Sequence, residues 1–141
     1  MKLQDVGPIK SSLKLAQTMS FLSTHPDFRL GAVLVKNGKI ISKAFNCGKK
    51  SHPYIHRNGE FYNQTIHAEL ACILKVKNKE RLQGATIIVY RERRDGHMAN
   101  AKPCPMCEKL IRSYGIKKII YSTEFGFQRM SVSLLGERRD L

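Results

Sequence analysis

Two short stretches constrain what this chain can fold into: His67-Ala68-Glu69, and Pro103-Cys104-Pro105-Met106-Cys107. An imidazole and two thiolates are ligands for one metal ion, so a fold that uses them must bring distant segments to a single point. Each stretch also opens a helical pattern. After His67, the residues Leu70, Ile73, Leu74 and Lys77 follow helical spacing. After Cys104, Pro105 suits a first turn, where its missing N–H has no partner, and 106–114 followed by Gly115 reads as a helix with its stop. Two cysteines three residues apart at the start of that helix share one face, and the helix N-terminus favours their charged form.

A catalytic zinc site takes three protein ligands and keeps one position open for water. His67, Cys104 and Cys107 supply the three. Glu69, two residues after the histidine, is then available as a carboxylate that moves protons without binding the metal. The same residues have other readings. A C-x-x-C pair alone fits a structural zinc knuckle or a redox pair, and a closed structural site could draw a fourth ligand from Cys47, Cys72, His52, His56 or His97. A purely structural site has no need of a proton shuttle, so Glu69 weighs toward catalysis.

The remaining pattern alternates helices with strands. Residues 9–23 read as a helix with Leu15, Met19 and Leu22 on its core stripe and Ser11 or Ser12 as caps. Residues 30–35 and 40–45 read as two antiparallel strands joined by Asn37-Gly38, a strong hairpin signal. A third strand is expected over 85–90, with Arg91-Glu92-Arg93-Arg94 following it, and a fourth over 116–121. The polar segment 46–64 is a long loop leading into the first ligand helix, and 95–102 is a shorter loop leading to the cysteines. The alternating segment 127–135 follows the fourth strand too closely for a parallel crossover, so it is expected to return antiparallel, with a short helix there as the other reading. The order gives an α/β fold with a mixed sheet and helices on its faces.

The length of 141 residues suits a single domain spanning 1–141, with no second one expected. No apolar segment resembles a signal peptide or approaches a membrane span, so no membrane partner is expected and a cytoplasmic location is. Four cysteines, two of them assigned to metal, agree with a reducing compartment, and Cys72 reads as a buried free thiol. The formal net charge of +14 favours anionic partners, with nucleic acid among them, but lysines spread over solvated faces explain it equally well.

With these residues in view, H-x-E followed by P-C-x-x-C is the signature of zinc-dependent nucleobase deaminases. The chain resembles the cytidine and deoxycytidylate deaminase superfamily over nearly its whole length, through Thr65-Ile66-His67-Ala68-Glu69-Leu70, Lys102-Pro103-Cys104-Pro105-Met106-Cys107 and the strand Gly115-Ile116-Lys117-Lys118-Ile119-Ile120-Tyr121. The resemblance implies a three-layer α/β/α fold on a mixed five-stranded sheet. It also implies one catalytic Zn2+ carrying a water, with Glu69 as the proton carrier. Substrate contacts by similarity are the backbone N–H of Ala68, the backbone just ahead of the cysteine helix near Lys102, Asn46 on the sugar, and Lys49 and His52 near a 5′-phosphate. For Asn46, a strand-ending turn residue is the plainer alternative.

The implied reaction is hydrolytic deamination of cytosine in a free nucleotide or nucleoside, of the dCMP or CMP type. Deamination of cytosine or adenine within RNA or single-stranded DNA is the alternative. A non-catalytic, zinc-stabilised nucleic-acid-binding domain is a remote third. The familiar deoxycytidylate enzymes carry a helix between their last two strands for which this chain is too short. Self-association through the ligand-bearing helices is implied by resemblance alone.

Overall fold

An Asn-Gly pair can set both central residues of a two-residue hairpin in the left-handed region, and here it does. Asn37 has φ 52° and Gly38 φ 77°, and they join β1 (Phe28–Lys36) to β2 (Lys39–Phe45) with Lys36 directly opposite Lys39. The computed structural model describes residues 10–23, 28–46 and 68–131. Within these, α1 (Lys10–Ser20) precedes the hairpin and α2 (Ala68–Leu74) follows it. A 3-10 turn (Lys79–Leu82) then leads into β3 (Thr86–Arg93) and the two-residue β4 (Met98–Ala99). Next come α3 (Pro105–Ser113), β5 (Lys118–Thr123) and β6 (Gly126–Ser131).

The sheet order is β2-β1-β3-β5-β6, with β4 paired to the far end of β3. β1 runs antiparallel to β2 and β3, β3 and β5 are parallel, and β6 returns antiparallel to β5 with Thr123 opposite Gly126. The short connection at Glu124-Phe125 leaves no other choice. The expectation of five strands thus becomes six. A two-residue strand is too brief to show alternation, so β4 lies unannounced within the expected loop 95–102. The run Arg91-Glu92-Arg93 was expected after the third strand, yet it forms the strand's last three residues, paired with Leu30, Arg29 and Phe28 of β1.

Alternation along the strands sorts the core into two layers. Val33, Val35, Ile88, Tyr90, Ile120 and Phe127 face α1, where Leu13 and Ala16 meet them. Ala32, Leu34, Ile87, Val89 and Ile119 face the other way, onto α2 and α3 through Leu70, Ile73 and Ile111. Each fully buried side chain of this size contributes about 1.5–3 kcal/mol.

The stripe foreseen on α1 is displaced. Ser12, Leu13, Ala16, Met19 and Ser20 are the buried positions, Leu15 is half-buried, and Leu22 lies beyond the helix end and is exposed. The physical reason is close packing: Gly31 of β1 lets the Ala16–Ser20 turn descend onto the strand backbone, and only small residues fit there. Ser11 and Ser12 lie inside the first turn of the helix and so do not cap it from outside. No described helix is long and apolar enough to cross a membrane.

Candidate active site

The described residues of both stretches, from Ala68 and from Pro103 onward, reach the same layer of the molecule. Cys104 is the N-cap of α3, with extended backbone (φ −67°, ψ 164°), and Pro105 occupies the first helical position. The Cys104 carbonyl accepts the first intrahelical bond from Glu108 N at 2.8 Å. Cys107 is fully buried one turn on, and Cys104 is half-buried. Ala68 and Glu69 form the first turn of α2, with Glu69 only 4% exposed despite its charge. Ala68, Ala101 and Cys107 belong to one core cluster, and Cys104 packs against it, so the starts of both helices face a shared interior.

The two thiols one turn apart at the start of α3 are donors of the kind zinc takes, unlike calcium or magnesium, which prefer oxygen ligands, and among the described residues no three His, Cys, Asp or Glu side chains gather into a metal-holding group. The third candidate ligand, His67, lies outside the described residues, as do Lys49, His52, Cys47 and His56. His97 is described: it is exposed, between β3 and β4, and pairs with Asp95 at 3.1 Å. Asp95 is itself held below the usual carboxylate range, first by the His97 backbone N–H and then by the His97 side chain.

Cys72, the other described candidate for a fourth ligand, is directed elsewhere. It is fully buried against β1, and its thiol donates to the Ala32 carbonyl at 3.7 Å. Burial pushes its pKa up to about 12. Ionisation in the unfolded chain begins near pH 9 while the folded thiol keeps its proton, so the stability this group supplies declines as pH rises from 9 to 12. Native protein at pH 8 is expected to leave Cys72 unalkylated by iodoacetamide, with labelling appearing only in denaturant. Peptide mass mapping reads the difference, and fast native labelling would contradict the buried placement.

The segment delivering Cys104 is held by a residue that sequence reasoning missed. β3 changes partners near Tyr90, from β5 to β4, and Ser122 sits fully buried at that junction. Its hydroxyl accepts from Arg91 N at 3.0 Å and donates to the Ala99 carbonyl at 2.8 Å, while its carbonyl accepts from Ala101 N at 2.9 Å. Asn100 adds an Asx turn, its Oδ1 accepting from Lys102 N at 2.8 Å, and the Lys102 side chain is exposed. A serine near a strand end carries no sequence signal for such a role. Ser122→Ala is expected to cost about 1–3 kcal/mol, because two half-buried backbone groups lose their partner, and a urea titration checks it.

Asn46 ends β2 as a buried tie. Its Oδ1 accepts from Leu30 N at 2.9 Å and from the Ser23 hydroxyl, and its own N–H donates to Leu30 O at 3.1 Å. Of the arginine run, Arg91 reaches the Asn100 carbonyl at 3.3 Å, Arg93 pairs with Asp95 at 2.9 Å, and Glu92 accepts from the Tyr90 hydroxyl and lies 3.6 Å from Arg29.

A family model described as the cytidine and deoxycytidylate deaminase zinc-binding region matches residues 8–123. The chain belongs to that family. As a member it is a hydrolytic deaminase. Among its relatives, the deoxycytidylate deaminase of Enterobacteria phage T2 is 27% identical over 154 aligned residues, covering 77% of this chain and 76% of its own. The tRNA-specific adenosine deaminase of Bacillus subtilis (strain 168) is 29% identical over 142, covering 96% and 74%. The crystal structure of dCMP deaminase from the cyanophage S-TIM5 in apo form superposes with a TM-score of 0.59 at 27% identity, covering 81% of each chain. The cytidine-deaminase-like α/β fold implied by the family's motifs is therefore the fold of this deaminase.

Proposed function

We propose that this deaminase converts the cytosine of a free pyrimidine nucleotide, dCMP or CMP, to uracil with release of ammonia. The observation that carries this reading is the placement of Glu69, a carboxylate 4% exposed in the first turn of α2, in the same layer as the two cysteines that begin α3. His67, Cys104 and Cys107 would hold zinc. When bound, the ion supplies the Lewis acidity that makes water a nucleophile near neutral pH.

The chain's own residues supply the rest. Glu69 accepts a proton from the attacking water and delivers it to the ring nitrogen beside the reacting carbon. It then carries the water's second proton to the departing amine, which leaves as ammonia. Burial keeps that carboxylate away from bulk solvent, so the protons it carries go to the base. The N-terminus of α3 and the core around Cys107 favour and shelter the thiolates. The Ala68 N–H and the backbone ahead of Cys104 would orient the base, with the loop from Ala99 to Pro103 fixed by Ser122. Lys49, His52 and Lys102 are the proposed phosphate contacts. The Asn46 oxygen is engaged by the Leu30 N–H and the Ser23 hydroxyl, which places that oxygen in the strand-end tie.

A second reading, deamination of adenine within RNA, draws on the alignment of the Bacillus subtilis tRNA-specific adenosine deaminase with 96% of the chain. One panel separates the two. Zinc-loaded protein is incubated with cytidine, deoxycytidine, CMP, dCMP and adenosine-containing RNA hairpins, and ammonia is measured. Turnover of a free cytosine nucleotide is the expected result, inosine formation in the hairpin alone would replace it with the second reading, and ammonia from neither would sink both.

A further inference from the structure

At the hairpin tip Lys36 stands directly opposite Lys39, and along the same end of the sheet Thr86, beside Val35, pairs with Lys118, whose neighbour Lys117 donates its N–H to the Ala85 carbonyl at 2.8 Å. The segment between α2 and β3 adds Lys77 and Arg81 to that end. Four of these six cations are exposed, and Lys36 and Lys118 are half-buried. Among the described residues the carboxylates are Glu69, Glu80, Glu92, Asp95, Glu108 and Glu124, and of these only Glu80 belongs to this end. The ion pairs join Arg29, Arg93, His97 and Arg112 to acids elsewhere, so none of the six cations has one among the described residues.

Like charges directly opposite in a sheet destabilise it, and among the described residues no carboxylate offsets the Lys36–Lys39 pair. An external polyanion would. We propose that this end of the sheet is a docking surface for the phosphate backbone of a double-helical nucleic acid. The surface carries compact ammonium groups suited to phosphates, and Tyr114, beside Gly115 at this end, is half-buried against the core and so offers no open platform for stacking unpaired bases. It is distinct from the deaminase site. Four residues of β5, roughly 13 Å at about 3.3 Å each, separate Lys118 from Ser122, which anchors the cysteine loop. The proposal requires nothing of the substrate assignment above.

Four cations removed at two places give the test. One variant carries Lys36→Gln, Lys39→Gln, Lys117→Gln and Lys118→Gln. A charge-matched control carries Lys43→Gln, Arg94→Gln, Lys109→Gln and Arg129→Gln. Fluorescence anisotropy follows binding to 20-base-pair RNA and DNA duplexes across a salt series, with phosphatidylglycerol vesicles as a third ligand and thermal melts as a check of folding. The expected result is duplex binding by the native chain, tenfold or greater weakening in the first variant alone, and a log–log salt slope shallower by roughly 3 to 4. Equal weakening of both variants, no duplex binding by the native chain at 100 mM salt, or binding to vesicles in place of duplexes would each overturn it. If the fourfold variant melts below the native protein, the pair Lys117→Gln with Lys118→Gln is expected to halve the slope change, and an unchanged slope overturns the proposal as well.

Discussion

Glu69→Gln will leave a folded, metal-retaining protein whose turnover falls by roughly 10² to 10⁴, the range that a positioned proton carrier contributes. Glutamine keeps the shape of the side chain and fills the same buried volume in the first turn of α2, so the packing around Ala68, Leu70 and Cys72 is undisturbed. What it loses is the ability to accept a proton from water and pass it on. The experiment needs three readouts on one preparation: ammonia release, zinc by elemental analysis, and the melting temperature. Loss of zinc would make Glu69 a ligand, and near-native turnover would remove it from the chemistry. Cys107→Ala makes the complementary case, because it removes a proposed ligand from a fully buried position and is expected to abolish zinc retention and activity together.

Gly31→Ala will be among the most destabilising single substitutions available. A methyl group there would lie 2.1 Å from the Ala16 carbonyl oxygen and 2.6 Å from Ser20 N, both backbone atoms of α1. Neither can move without lifting the helix from the sheet and opening the layer made by Leu13, Val33 and Ile88. A cost of about 3 kcal/mol or more is expected, at the upper end of overpacking penalties. Gly84→Ala is the useful comparison. Its φ is +78° but no atom stands within 4 Å of the added methyl, so only the left-handed backbone penalty of about 1–2 kcal/mol applies. Chemical denaturation of the two variants should separate them clearly, and equal midpoints would contradict the close approach of α1.

The parts of the fold that were legible in the sequence are those set by local chemistry. Asn37-Gly38 dictates a tight hairpin, Pro105 and Gly115 bracket a helix, and the short gap before residue 127 forces an antiparallel return. Boundaries slipped where neighbours decide them. β3 runs on to Arg93 because β1 and β4 lie beside Arg91 and Glu92, and nothing within the arginine run announces those partners. The buried stripe of α1 was misplaced because it is chosen by Gly31, a residue beyond the helix. At the site, the two cysteines and Glu69 stand out through spacing alone, whereas Ser122 acts through three contacts made by folding and has no pattern to betray it. Asn46 shows the middle case: its position at a strand end was visible, but its burial and its tie to Leu30 were not.

The sheet has two rims, and both are guarded. β2 forms one outer border with Lys39 and Lys43 exposed along it, and β6 forms the other with Gln128 and Arg129 exposed. An identical strand approaching either rim would set cation against cation, which discourages copies of the chain from zipping together into an extended sheet. Among the described residues, the charges on both rims therefore act against edge-to-edge pairing of one copy's border strand with another's.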